Sequence, residues 1–310
     1  MATAYECDPL DLLACVPDWS SPRRNVFQIA PAPNSETTDS DSETWVFGQD
    51  RPPRKGKEAH WHSQWSAPLL KTLFEETGSD CQLRGLANAT IRYGGDCSGA
   101  ESPVWALRSI SQGLEADSGH FHVEHAFSSE HPDNQGAKAF LQLNVQPKIL
   151  YNDVVARAKE DCGFDVLSQS SSTPPAVDIY CGGTECVDFS GLNAAPKGED
   201  GQSWQTLRAV FQYIESHVPP IVCLENVLAK QIVKPVSCLL RQLGYVTITF
   251  AVNSRHGGVP QSRTRLYIVA VNSLAVKIHV EVKYWPDLLA KVLESLPAKT
   301  VDDVLSKDNV

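Results

Sequence analysis

Residues 204–226 read WQTLRAVFQYIESHVPPIVCLEN, and the fold class turns on them. Leu207, Val210, Phe211 and Ile214 recur at helical spacing, so the first part reads as a helix with one apolar face. Pro219 and Pro220 follow, and the next run, PIVCLEN, has the short apolar character of a strand. The same alternation extends outward in both directions. Further strand candidates are TIRYGG (90–95), FHVEHAFS (121–128), KILYN (148–152), AVDIYC (176–181), YVTITFAVN (245–253) and RLYIVAVN (265–272), with SPVWALRSISQGL a helix between the first two. Strands alternating with helices predict an α/β fold of Rossmann-like type, a mostly parallel sheet with helices on both faces. Ligands in such folds bind beyond the carboxyl ends of the strands, so chemistry is to be sought in the residues just after each strand.

A chain of 310 residues suffices for one large α/β domain or two small ones, and an apolar content of 42% can fill a sizeable core. The formal net charge of −10 argues against gripping nucleic acid by bulk charge, while leaving room for a local basic cleft. Nine cysteines, an odd number without a CxxC pair, argue against a disulfide framework or a zinc site and suit a reducing interior. The N-terminus has no signal-peptide pattern and no run approaches a membrane span, so an intracellular protein of nucleus or cytoplasm is expected.

The first 60 or so residues differ from the rest. PAPNSETTDSDSET is polar and acidic, RPPRKGKEAHWH is basic, and both read as loop or disorder. RPPRKGK is either a phosphate contact or, the plainer reading, a solvated linker. His60 and His62 lack a third ligand in view, so no metal site is expected.

Four groups of residues stand at strand ends. The first strand runs into Asp96-Cys97-Ser98-Gly99-Ala100-Glu101-Ser102 and then a helix, where glycine admits close approach and the helix start offers free N–H groups. Glu130 follows the second strand, where an acid accepts from ribose hydroxyls; Asp153 follows the third, where one can accept from an adenine amino group. Either acid alone is more often a solvated surface group; in order they suggest a nucleoside-bearing cofactor. The fourth strand ends in Cys181-Gly182-Gly183-Thr184-Glu185-Cys186-Val187-Asp188-Phe189-Ser190, which offers a thiol at a reachable loop. Then come Glu225-Asn226-Val227 and, before the last strand, Gln261-Ser262-Arg263-Thr264-Arg265.

The ordered set GGxxCxxFS, ENV and QxRxR resembles the cytosine-C5 DNA methyltransferases, over about residues 88–305. The resemblance implies S-adenosylmethionine as cofactor and nucleic acid, DNA before RNA, as partner. It assigns Cys97, Ser98, Gly99, Ala100 and Gly183 to the cofactor turns, Glu130 to the ribose and Asp153 to the adenine edge. Cys186 becomes the nucleophile, Glu225 the acid at the cytosine edge, and Arg265 with Arg263 the pyrimidine contact. Residues 1–87 then form an N-terminal extension, partly disordered, and 88–310 the methyltransferase domain.

Cytosine C5 attacks a methyl sulfonium poorly until a thiolate adds across C6, and cysteine is both nucleophile and leaving group. The bland readings are an inert loop cysteine at 186, packing roles for Cys97, Cys181 and Cys223, and surface charges at 263 and 265. Two departures from the family weigh on activity. Thr184-Glu185-Cys186-Val187 stands where the family has prolines and Cys-Gln, and a carboxylate beside a thiol disfavours the thiolate. No target-recognition region is evident in the 45 residues after Arg265, so a second polypeptide is an expected partner, and a weak or inactive methyltransferase-like binding module is the alternative.

Overall fold

The computed structural model describes residues 44–46, 65–78, 86, 88–97, 99–114, 120–185, 188, 201–228, 230–276, 278 and 280–296. His60, His62, RPPRKGK, Ser98 and Cys186 lie outside the described residues.

In chain order the elements are β1 (Thr44–Val46), α1 (Ser66–Thr77), β2 (Thr90–Asp96), α2 (Ser102–Leu114), β3 (His122–Ser129), α3 (Gln135–Phe140, continued by a π-turn), β4 (Ile149–Tyr151) and α4 (Val154–Glu160). Next come β5 (Gly163–Asp165), β6 (Ser170–Ser172), β7 (Ile179–Gly183), α5 (Gln202–His217), β8 (Ile221–Asn226), α6 (Lys230–Gln242), β9 (Tyr245–Asn253), β10 (Thr264–Asn272) and α7 (Trp285–Ser295). Every strand expected from the sequence is present, with bounds shifted by at most three residues.

The strands form one sheet in the order β1-β9-β10-β8-β7-β2-β3-β4-β5-β6. From β2 the chain steps outward through β3 to β4, then returns to the other side of β2 to lay down β7 and β8, all parallel. The order therefore reverses between β2 and β7, the place where open α/β sheets form their ligand crevice. β10 runs antiparallel to both β8 and β9. Its connection from β9 is too short for a crossover, which forces reversal. That reversal brings the first residues of β10 to the edge where β8 ends.

The sheet is covered on both faces. Leu207, Val210, Phe211 and Ile214 of α5 are buried with Tyr180, Val222 and Phe127 from the strands and Leu240 of α6. The opposite face packs Tyr93, Leu150 and Cys181 against Val104 of α2 and Leu141. Adjacent residues Tyr180 and Cys181 thus point to opposite sides, as strand period two requires. Helix α1 lies within the stretch read as an extension. Its Leu70 is buried with Leu114 of α2 and Phe121, so it packs on the sheet domain.

Strand β2 tolerates little bulk at Gly94. An added Cβ would overlap the ring of Phe127, which is fully buried. The ring already packs edge-on against Tyr151 and Tyr213. Gly94→Ala is therefore expected to lose about 1–3 kcal/mol of stability by overpacking, read as a lower urea midpoint at unchanged slope.

Candidate active site

The carboxyl ends of β2, β3, β4, β7 and β8 share one sheet edge, and every described residue expected to act lies on it. At the end of β2, Cys97 and Gly99 both adopt left-handed backbone conformations, φ 53° and 61°. Gly99 donates its N–H to Glu130 Oε1 at 2.9 Å, which ties the β2 turn to the end of β3. Asn134 donates to the other oxygen, Glu130 Oε2, at 2.8 Å. Burial pushes the Glu130 carboxyl up in pKa, and these two donors oppose the shift. Each carboxylate oxygen can accept more than one hydrogen bond, so acceptor capacity remains. Ala100 is exposed beside Gly99, and a Cβ at Gly99 would meet nothing within 4 Å.

The Cys97 thiol is pushed well up, first by burial and then by Glu130, Asp96 and Glu185. It is held as a neutral thiol, not a nucleophile. The same relation locates Glu185: its carboxylate raises both Cys97 and Glu130, so its charge is felt at the ends of β2 and β3.

Asp153 begins α4 with an extended backbone and accepts through Oδ1 from the N–H groups of Val155 (2.8 Å) and Ala156 (3.0 Å). It is a helix N-cap, with one oxygen committed to that duty. Lys138 links the neighbouring loops by donating to the Pro132 carbonyl and to Asn152 Oδ1.

Across the crevice, Gly183 is the register partner of Glu225 on the adjacent strand. The loop that leaves β7 is fastened at two described points. Asn226 Nδ2 donates to Thr184 Oγ1 at 2.8 Å and to its carbonyl at 3.2 Å. Asp188 and Ser203 exchange hydrogen bonds: the Asp188 N–H donates to Ser203 Oγ, and the Ser203 N–H donates to Asp188 Oδ2. Cys186 stands two residues from each fastened point in the chain.

Glu225 and Arg265 meet as an ion pair, Nε to Oε1, at 2.9 Å. They are diagonal neighbours, because Tyr267 pairs directly with Glu225 and Arg265 shares its face of β10. Burial raises the Glu225 carboxyl in pKa, against the opposing fields of Arg265 and then Arg263. Arg263 itself precedes β10 in a loop closed by Ser254, whose hydroxyl accepts from the Arg263 N–H. The edge thus holds two adjoining groupings, since β2 pairs directly with β7 and Asp96 lies beside Gly182. Cys97, Gly99, Ala100, Glu130 and Glu185 gather at β2 and β3, while Gly183, Glu225, Arg263 and Arg265 gather at β7, β8 and β10.

The family model for C-5 cytosine-specific DNA methylases matches residues 107–308. The chain belongs to that family. Among curated relatives of this methylase-family chain, the DNA (cytosine-5-)-methyltransferase DMT5 of Cryptococcus neoformans var. grubii is 34% identical over 195 residues. That match covers 62% of this chain and 8% of the relative. DMT5 of Verticillium dahliae is 27% identical over 260 residues, 66% of this chain and 11% of the relative. The chain thus spans about a tenth of the length of these two proteins. Among solved structures, the Schizosaccharomyces pombe Dnmt2 methyltransferase (TM-score 0.43, 16% identity) covers 64% of this chain and 54% of its own.

Three residues of the candidate site were not singled out by sequence. Asn134 could have been found from its place before a helical GAKAF run, as an N-cap within reach of Glu130. Asn226 was quoted only as part of ENV, and its role as the fastening of Thr184 carries no sequence signal. Arg157, described below, has none either.

Proposed function

We propose that this chain is the catalytic core of an S-adenosylmethionine-dependent methyltransferase that acts on C5 of cytosine in DNA. The observation that carries this reading is the Glu225–Arg265 pair, set beside the β7 end from which the chain leads in three residues to Cys186.

The cofactor, when bound, supplies an electrophilic methyl group on a cationic sulfur. The crevice fits it: open space beside Gly99, an acceptor at Glu130 for ribose hydroxyls, and negative charge from Glu130 and Glu185 for a cation. Cys97, Ser98, Gly99, Ala100 and Gly183 would form its backbone cradle. Asp153 would meet an adenine amino group through the oxygen that does not cap the helix.

The protein's own steps begin with Cys186, whose thiolate adds to C6 of the target base. Glu225 holds a proton at ring N3 while charge builds there, and Arg265, supported by Arg263, binds the O2 edge. The raised pKa of Glu225 suits this duty, because its neutral form persists above the ordinary carboxylate range. After transfer a base removes the C5 proton, and the thiolate leaves as the double bond reforms. The base must be flipped out of the duplex or already unpaired. A net charge of −10 suits such a core poorly for holding a phosphate backbone, so target selection falls to other parts, a second polypeptide among them. A DNA substrate favours the nucleus over the cytoplasm as the protein's location.

A 5-fluorocytosine oligonucleotide with S-adenosylmethionine is expected to give a covalent adduct that resists denaturing electrophoresis, because fluorine cannot leave as a proton does. Cys186→Ser is expected to abolish it. Absence of an adduct with both DNA and RNA oligonucleotides, with a target-recognising partner present, defeats the proposal, and an adduct with RNA alone reassigns the substrate.

A further inference from the structure

Beneath the cofactor turn lies a buried carboxyl that the mechanism does not use. Glu101 closes the turn that begins at Cys97 and precedes the first residue of α2. It adopts a left-handed backbone, φ 53°, and only 1% of it is exposed. A glutamate there carries strain that glycine would avoid, and such strain persists where surrounding contacts hold it. The contacts are definite. Tyr93 donates its hydroxyl to Glu101 Oε2 at 2.6 Å, and Ser128 donates to Oε1 at 2.6 Å. His125 Nε2 lies 2.9 Å from Ser128 Oγ and 3.9 Å from Glu101 Oε1. Gly95 is the space that admits this group, since a Cβ there would fall 2.5 Å from Glu101 Oε1 and 2.7 Å from the Tyr93 hydroxyl.

The charged and titratable groups around it come from several elements. Tyr93 and Asp96 belong to β2, and Asp96 is already paired with Arg157. His125 and Glu130 come from β3 and its end, Cys181 from β7, and Arg108 of α2 acts on His125. Burial drives Glu101 up to about 7 and His125 down to about 4. His125 is thus neutral wherever Glu101 is ionised, and the two never form an ion pair.

We propose that Glu101 is a positioning residue for the cofactor: its carboxylate, held under the turn by Tyr93 and Ser128, is the buried counter-charge that a cationic sulfur selects. This inference rests on the reading that the turn binds S-adenosylmethionine. By linkage, a cation bound near the turn favours the ionised form, so binding releases a proton from Glu101 around neutral pH. The demethylated product has an uncharged sulfur and couples less strongly, which favours its departure.

The test is calorimetric titration of the 310-residue chain with S-adenosylmethionine and with S-adenosylhomocysteine, from pH 6 to 8. Pairs of buffers that differ in ionisation enthalpy then count the protons released. The dissociation constant for S-adenosylmethionine is expected to fall about fivefold across this range if binding lowers the Glu101 pKa by one unit. The fall for S-adenosylhomocysteine is expected to be smaller. Glu101→Gln removes both the slope and the proton release. Tyr93→Phe, which deletes one donor to the carboxylate, moves the transition to higher pH and serves where the Gln variant does not fold. A flat profile with intact binding, equal slopes for the two ligands, or a slope retained in Glu101→Gln overturns the inference. Absence of binding at any pH overturns the cofactor reading itself, and this inference with it.

Discussion

Arg157→Met is expected to remove about 3–5 kcal/mol of folding stability, enough to unfold a large share of a marginally stable domain. Arg157 and Asp96 are both almost entirely buried and meet through two parallel bonds, at 2.6 and 2.8 Å. The Tyr180 hydroxyl also donates to Asp96, and Arg157 donates to Ser129 Oγ. The rings of Phe127, Tyr151 and Tyr213 surround the guanidinium, each centroid 5.4–5.6 Å away. Methionine fills much of the volume, so the loss is one of charge, not packing. It leaves the Asp96 carboxylate in the interior without its cation, and that orphaned charge is what costs. Asp96→Asn/Arg157→Met, with neither charge, is therefore expected to recover part of the stability. Chemical denaturation of the three proteins decides it. A double variant no more stable than Arg157→Met would show that the charge pair is not the source. The pair also has a functional reach. Arg157 stands on the helix that Asp153 caps, and Asp96 immediately precedes Cys97, so the bond ties the end of β2 to the helix after β4, the two sides of the proposed cofactor crevice. Arg157→Lys, which keeps charge but not the planar fork, is expected to weaken cofactor binding more than it weakens the fold.

The sheet was legible because strands such as IVCLEN and TRLYIVAVN carry short apolar runs, which burial on both faces favours. Strands β5 and β6 were missed for the converse reason. GFD and SSS are three residues each at the sheet margin, too short to show a period. Helix α6 escaped notice because Pro235 sits inside it. At the site, what could be read were single residues at strand ends: Gly99, Glu130, Glu225 and the two arginines. What could not be read were partnerships between strands distant in sequence. Arg157 lies 61 residues from Asp96, and nothing in either neighbourhood announces the other. Asp153, read as an adenine contact, also caps a helix, and one carboxylate near a helix start signals both roles alike. The approach of Arg265 to Glu225 depends on the reversal of β10, which alternation of strands and helices does not reveal.

Glu225→Ala is expected to slow methyl transfer about a hundred- to ten-thousandfold in single turnover, the range for loss of a positioned proton donor and its charge stabilisation. The fold should notice little, because Glu225 and Arg265 are both partly solvated and such pairs contribute at most about 1 kcal/mol. The defect should therefore appear in the chemical step at unchanged stability. Its dependence on pH carries a definite sign. Burial raises the Glu225 carboxyl above its ordinary value, so the neutral form extends to higher pH and declines as pH rises through the raised pKa. If the proton on Glu225 meets ring N3, the single-turnover rate falls over that same interval, and Glu225→Gln flattens the fall while keeping a hydrogen-bonding group in place. Arg265→Ala offers the complementary check. It removes the strongest field opposing protonation, so Glu225 should titrate at still higher pH and the descending limb should move with it. A descending limb that stays in place in Arg265→Ala, or survives in Glu225→Gln, would mean that the titrating group lies elsewhere and that Glu225 holds the base without giving it a proton.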